Sequence, residues 1–214
     1  MQTEELTELL REDIRTGVLR AGQALVQEEL AKRFSVSRIP IREALLTLAA
    51  GGIVTARPGG GHAVRSLSPR EVEELYDLRI LIEPSLSTEI VANASPNDLR
   101  SWRRMASELR IMKTPGKSWV TKNYQFHLAI YDVTERDHTI RVIRSLLDLT
   151  LPYSRLFMSE TGESDKVDDE HDQMLQAIED RNAKLLRDTL STHLHTTQRS
   201  VSAFLKKSMP AEAS

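Results

Sequence analysis

The sequence predicts a mainly α-helical protein, with an N-terminal winged helix-turn-helix and a C-terminal all-α bundle of about six helices. Three observations support this fold class. Two short amphipathic helices are joined by a two-residue turn, a Gly-rich hairpin pattern follows them, and the remaining chain has helical spacing of apolar residues without a strand pattern. We therefore expect two domains, residues 1–66 and residues 67–214.

The charge distribution suggests that the first domain binds a polyanion. Residues 31–65 carry six basic groups against one acid, whereas residues 67–214 carry 20 basic and 23 acidic groups. A basic segment on an otherwise acidic chain is typical of a nucleic-acid-binding module fused to another domain. The alternative is a solvated basic face on a structural three-helix bundle.

The composition excludes several classes of protein. The chain has 214 residues, 40% hydrophobic and 28% charged, which is an ordinary globular profile. It contains no cysteine, which removes disulfides, thiolate zinc sites and cysteine nucleophiles. The first residues are acidic where a targeting segment is basic, and no apolar run approaches the ~20 residues of a membrane span. We expect a soluble, cytoplasmic protein with no membrane partner.

The first domain begins with three predicted helices. The second is "QEELAKRF", and the third begins near Ser37, a suitable N-cap, with Pro40 in its first turn. Arg38 and Arg42 share a face near the N-terminus of this third helix, where the helix dipole favours a phosphate. Apolar residues at helical spacing mark the inward faces of the first and third helices: Leu6, Leu9, Leu10 and Ile14, then Ile41, Ala44, Leu45 and Leu48.

The stretch "LAKRFSVSRIPIREALLTLAAGGIV", followed by "RPGGGHAV", closely resembles the N-terminal DNA-binding domain of GntR-superfamily transcription regulators. The resemblance implies that Arg38 and Arg42 contact DNA and that the Gly-rich wing tip reaches the minor groove. Ser35 stands where Gly is usual, which should perturb the turn only slightly. Glu28 stands where some members have a DNA-contacting arginine, so that contact should be missing. The implied DNA-binding residues are Ser37, Arg38, Arg42, Arg57, Gly60, Gly61 and His62.

The second domain is predicted to contain helices only. Ser68 is a suitable N-cap and Pro69 a suitable first helical residue, and Pro84 should bend the first helix. The predicted helices cover residues 70–93, 96–112, 117–134, 137–157, 168–180 and 182–206.

Polar residues on three of these helices form a candidate metal site. Asn123 and His127 are four residues apart and share a face, while His171 and His193 lie on two later helices. Three imidazoles and an amide oxygen in one bundle could bind zinc, nickel, iron or manganese. The alternative is that each is an ordinary surface or core residue. His138 and His195 are expected not to take part, since His195 points about 200° away from His193 around a helix.

Residues 70–206 resemble the FCD ligand-binding domain of the FadR-type branch, in the motifs "ELYDLRILIE", "NYQFHLAI" and "EHDQMLQAIEDRNAKLLRDTLSTHL". The resemblance implies a divalent metal held by one Asp and three His. His127, His171 and His193 match the histidines, and Asn123 stands where Asp is usual. An amide oxygen can coordinate a metal but brings no charge, so lower metal affinity is expected.

The same resemblance implies a small organic acid that completes the coordination of the metal. Arg79 matches an arginine that often lies in the cavity of the family, where a guanidinium suits a carboxylate. The alternative for Arg79 is an ion pair with Glu83, four residues later. Arg144 and Tyr153 are further candidates for effector binding, chosen by position alone.

Together these patterns predict a transcription regulator, a repressor controlled by a small carboxylate, that binds a palindromic operator in double-stranded DNA as a homodimer. Two alternatives stay open. One is a direct metal sensor with no organic effector. The other is a metalloenzyme with Glu170 as general base, although acidic residues before a helix are common helix-start features. The sequence leaves the effector, the operator, the metal and the sign of regulation open.

Overall fold

The protein is described by a computed structural model that covers residues 2–112, 116–161 and 165–208. The chain divides into two compact units, Met1–Leu67 and Ser68–Ser214. The prediction of a mainly helical protein with a small sheet in its first unit is confirmed. Within the described ranges, no helix is both long and apolar enough to cross a membrane.

The first unit is a winged helix-turn-helix. Its strands form one antiparallel sheet in the order β1-β3-β2, so that the wing hairpin of β2 and β3 is extended by the short strand that precedes α2. The elements are α1 (Thr3–Arg15), β1 (Ala24–Leu25), α2 (Gln27–Phe34), α3 (Arg38–Ala50), β2 (Val54–Ala56) and β3 (His62–Val64).

The inward face of α3 forms the centre of this unit. Its four predicted core residues have no exposed surface, and the opposite face of the helix is open to solvent. From α1, Leu6, Leu10 and Ile14 are buried, whereas Leu9 lies at the edge of the stripe and is 42% exposed. The fully buried α3 residues are Ile41, Ala44, Leu45 and Leu48.

The turn between α2 and α3 contains a residue in a strained conformation. Ser35 has a φ of 54°, in the left-handed region, at the C-terminus of α2. Only glycine adopts this region without a steric cost from Cβ. Ser35 therefore adopts the left-handed φ that suits glycine at this turn, at the cost of some strain.

We predict that Ser35→Gly stabilises the helix-turn-helix by about 1 kcal/mol, because it removes the left-handed strain of a residue with a Cβ. Amide hydrogen exchange of α2 and α3 in the full-length protein would then slow about five-fold. Arg181→Gly is a matched control, since Arg181 also has a positive φ, of 52°, but lies in the second unit. Unchanged or faster exchange in the Ser35 variant would contradict the prediction.

The second unit is a helical bundle with no strand in its described part. Its helices begin and end close to the predicted positions, except that the first predicted helix is two helices joined by a 3-10 turn, Glu83–Leu86, which contains Pro84. The helices are α4 (Pro69–Ile82), α5 (Ser87–Asn93), α6 (Pro96–Ile111), α7 (Lys117–Asp132), α8 (Asp137–Thr161), α9 (Asp165–Glu179) and α10 (Ala183–Ser208).

Local sequence determines where α4 begins. This helix carries Tyr76 and Arg79, which line a cavity in the bundle. The Ser68 hydroxyl accepts a hydrogen bond from the Glu71 backbone N–H, and the Glu71 carboxylate accepts one from the Ser68 N–H. This capping box, with Pro69 at the first helical position, confirms the predicted start. Ser95 and Asp98 form the same arrangement at the start of α6.

Candidate metal and effector site

Three histidines from three helices converge inside the bundle. His127 on α7, His171 on α9 and His193 on α10 are 2%, 1% and 6% exposed. One donor nitrogen from each lies within 4.8 Å of the others. Nitrogens bound to one zinc ion at ~2.1 Å are about 4 Å or less apart, so small side-chain rotations would bring the triad to coordination distance.

The surroundings of His127 and His171 favour neutral imidazoles. Burial, followed by the nearby His171, His193 and Arg79, holds the pKa of His127 well below its usual value. Burial and the nearby His193 do the same to the pKa of His171. A neutral imidazole carries the lone pair that a metal needs. Within the described residues, Nδ1 of His127 and both ring nitrogens of His171 are buried without a hydrogen-bond partner. Such atoms are uncommon in folded proteins, so the donor set fits a divalent metal ion.

Asn123 lies one turn before His127 and is 6% exposed. Its Oδ1 atom is also buried and lacks a hydrogen-bond partner in the part of the chain that the structure describes. An amide oxygen in this position can act as a neutral fourth donor. The side chain lines the same cavity as His127 and His193, as the spacing of four residues on one helix face predicts for Asn123 and His127.

Glu170 contacts the triad through a hydrogen bond. Its Oε2 atom lies 2.5 Å from Nδ1 of His193. With Nδ1 occupied in this way, Nε2 is the nitrogen of His193 that is left to bind a metal. The carboxylate that the sequence offered as a general base is therefore engaged with an imidazole of the triad.

A cavity that is partly open to solvent adjoins the triad, and its wall includes His127 and His193. Apolar side chains from α8, α9 and α10 form much of its wall, and polar groups cluster on α4 and α7. Tyr76 and Ser154 are both in the wall and are hydrogen-bonded to each other, with 2.6 Å between their oxygens. Small-molecule sites are commonly apolar clefts with a few convergent polar groups, and this cavity has that character.

Arg79 forms the ion pair with Glu83 that the sequence allowed and also lies in the cavity wall. It is 4% exposed, lines the cavity, and donates to Glu83 from Nε at 2.6 Å and to Thr150 from Nη1 at 3.2 Å. The second oxygen of Glu83 accepts from the Tyr131 hydroxyl at 2.6 Å. Burial, and then the charge of Glu83, hold the pKa of Tyr131 well above its usual value, so this hydroxyl remains a donor.

Trp119 is a cavity residue that the sequence analysis missed. It is 2% exposed and lines the cavity, and its indole N–H has no acceptor within the described residues. It lies four residues before Asn123 and eight before His127, so the three share one face of α7. That spacing was visible in the sequence, but a tryptophan on an apolar helix face is equally typical of a core residue.

Two predicted effector-binding residues do not reach the cavity. Arg144 lies three residues before Leu147, beyond the end of the cavity, and its side chain is 42% exposed and paired with Asp132 at 3.1 Å. Tyr153 is buried but lies about 100° around α8 from the cavity residue Ser154. His138 and His195 are both exposed and lie apart from the triad, as expected.

The predicted DNA-contacting residues lie on one helix end and on the wing. Ser37, Arg38 and Arg42 are exposed at the start of α3. The wing tip has positive φ values at Gly60 (103°) and Gly61 (82°), where a residue with a Cβ would be strained. Arg57 and both glycines are exposed, and His62 is partly buried in β3.

Comparison with known families identifies both units. The model of the bacterial regulatory proteins of the gntR family matches residues 2–64, and the FCD domain model matches residues 74–196. The chain belongs to the GntR family of bacterial regulators and carries an FCD domain. It is therefore a DNA-binding transcription regulator, and since its relatives are regulators and not enzymes, the metalloenzyme alternative is wrong.

The relatives agree with this assignment over most of the chain. The chain is 25% identical over 197 residues to the transcriptional repressor GlaR of Escherichia coli K12, covering 87% of this chain and 90% of the relative. It is 26% identical over 199 residues to the gluconate operon transcriptional repressor of Bacillus licheniformis, covering 88% and 80%. The solved structure of E. coli McbR/YncC has a TM-score of 0.84 at 21% identity, over 96% of this chain and 97% of that one, and supports the fold.

We predict that Glu83→Gln destabilises the second unit by about 3 kcal/mol, because it leaves the buried guanidinium of Arg79 without a counter-charge. Urea unfolding followed by helical circular dichroism measures this change. Glu89→Gln is the matched control, since Glu89 pairs with Arg136 on the surface, where removal costs under about 1 kcal/mol. Equal effects of the two substitutions would contradict the role given to the Arg79–Glu83 pair.

Proposed function

We propose that this GntR-family regulator is a homodimeric repressor whose operator binding is controlled by a small carboxylate, bound beside a divalent metal in the FCD domain. One observation carries the proposal. Three buried histidines adjoin a cavity that contains a buried arginine, and two of them have ring nitrogens without a hydrogen-bond partner among the described residues. Because the operator lies on the chromosome, this function requires a cytoplasmic protein.

His127, His171 and His193 would hold the metal, with Asn123 as a neutral fourth donor. Imidazole and amide donors suit zinc, nickel, iron or manganese. A bound divalent ion would supply a positive centre with room for an anionic ligand. All four donors are neutral, so a carboxylate effector would provide the charge compensation that they lack.

The cavity offers further groups for such an effector. Arg79 presents a guanidinium whose charge is shared with Glu83. The indole N–H of Trp119, which has no acceptor among the described residues, would donate to a second oxygen, such as a hydroxyl on the acid. These groups favour a small acid that carries an additional oxygen function.

The names of two relatives support repression, rather than activation, as the direction of regulation. GlaR and the gluconate operon regulator are both named as repressors. Gluconate is itself a hydroxy acid, which makes it a reasonable first probe for the cavity. Their identity to this chain is 25% and 26%, so the effector of this protein has to be found by experiment.

The connection between effector and DNA would pass through α4. This helix begins at Pro69, directly after the first unit ends at Leu67, and carries both Tyr76 and Arg79 of the cavity wall. An effector changes operator affinity only if it binds one arrangement of the dimer more tightly than another. A shift of α4 on effector binding would provide that difference.

The remaining alternative is direct metal sensing. It is favoured by the burial of the triad, which offers a complete set of protein donors without an organic ligand. The two functions differ in what releases the operator. Metal alone releases it in the sensor, whereas the metal-loaded protein still needs an acid in the effector-controlled repressor.

We predict that chelator-treated protein binds one Zn²⁺ per chain and that gluconate or another short carboxylate binds only afterwards. Isothermal titration calorimetry, with metal first and acids second, measures both steps. His127→Asn should lower Zn²⁺ affinity by more than about 100-fold, beyond the usual effect of outer-shell changes, because it removes a ligand. His195→Asn, at an exposed helical histidine, should have no effect. Equal Zn²⁺ affinity of both variants would contradict the proposed site.

We predict that Arg38→Ala and Arg42→Ala each weaken operator binding about 10-fold and reduce the salt dependence by about one unit of slope, because each removes a contact to DNA. The operator would first be selected from random duplex DNA with the full-length protein. Lys184→Ala removes an exposed cation from the FCD domain and serves as control. Wild-type affinity and slope in both arginine variants would refute the assignment.

A further inference from the structure

The carboxylate of Glu170 lies against one imidazole of the triad. Its carboxylate is 2.5 Å from Nδ1 of His193, and the two side chains are 18% and 7% exposed. Glu170 directly precedes His171 on α9. One helix therefore supplies an imidazole of the triad and also the hydrogen-bond acceptor for a second imidazole on α10.

The charge of the site suggests why a carboxylate lies there. Imidazole side chains and the amide of Asn123 bring no negative charge, and a divalent cation in a buried site is costly without compensation. The carboxylate of Glu83 already accepts hydrogen bonds from Arg79 and Tyr131. The carboxylate of Glu170, by contrast, is hydrogen-bonded directly to an imidazole of the triad.

We propose that Glu170 is a positioning residue for the metal site and the source of the negative charge that Asn123 does not provide. It accepts a hydrogen bond from the Nδ1–H of His193 and so holds Nε2 as the lone-pair nitrogen that faces His127 and His171. A carboxylate behind a ligating imidazole also makes that imidazole a stronger donor. This inference rests on the proposed metal site.

The competing explanation is an ordinary ion pair between Glu170 and a protonated His193 that serves only the fold. The two explanations differ in measurable ways. An ion pair of this kind stabilises the metal-free protein and competes with the metal for His193, so that its removal leaves metal affinity unchanged or raises it. A positioning residue changes metal affinity, and its effect depends on the charge of the residue at position 123.

The experiment measures Zn²⁺ affinity of the full-length protein by competition with a chromophoric chelator. Glu170→Gln keeps the size of the side chain and an acceptor oxygen but removes the charge. Asp169→Asn is the matched control, since it removes one charge from the adjacent residue, whose side chain is 72% exposed and paired with Arg110. Circular dichroism of the metal-free variants verifies that each is folded, and Glu170→Asp provides a second variant that keeps the charge.

We expect Glu170→Gln to lower Zn²⁺ affinity about 10-fold or more, as outer-shell substitutions do, and Asp169→Asn to change it less than about two-fold. Glu170→Asp should lose less affinity than Glu170→Gln. In an Asn123→Asp background, where a ligating carboxylate supplies the charge, Glu170→Gln should cost markedly less, so that the two substitutions are not additive.

The outcomes separate this inference from the function on which it rests. Failure of the unaltered protein to bind Zn²⁺ would overturn the metal site and the role of Glu170 with it. Zn²⁺ binding that is equal in the unaltered protein and in Glu170→Gln would overturn the role of Glu170 alone. An equal cost of Glu170→Gln with Asn123 and with Asp at that position would overturn the charge compensation.

Discussion

The second unit buries several polar atoms that have no hydrogen-bond partner among its described residues, and this burial limits its stability. The amide oxygen of Asn123, Nδ1 of His127 and both nitrogens of His171 are buried in this way within the described residues. Each unpaired buried group costs ~1–3 kcal/mol, so a bundle that keeps several of them together is less stable than an apolar one. A ligand that pairs with them would recover this energy, and metal binding would then stabilise the fold.

The polar groups around the triad form a second layer that joins several helices. Glu83 accepts hydrogen bonds from Arg79 on α4 and from Tyr131 on α7, and Arg79 also donates to Thr150 on α8. A charge introduced into the cavity therefore acts on groups that hold three helices together. Because α4 follows the DNA-binding unit in the chain, the proposed effector would act on operator binding through this network.

Local patterns in the sequence predicted much of this fold. The capping residues Ser68 and Pro69 fixed the start of α4, and the stripe on α3 identified the core of the winged helix. The site was only partly predictable. Four-residue spacing placed Asn123 beside His127, but the contact between Glu170 and His193 joins different helices and follows from their packing. The prediction that Arg144 lies in the cavity was wrong, because the spacing of residues in a sequence does not reveal where a cavity ends along a helix.

X-ray absorption spectroscopy of the Zn²⁺-loaded protein tests the central claim most directly, because it detects the ligands themselves. The account predicts three imidazoles at ~2.0–2.1 Å with at least one oxygen, and two imidazoles after substitution of His171. A spectrum with fewer than three imidazoles in the unaltered protein, or one that His171→Asn leaves unchanged, would contradict it.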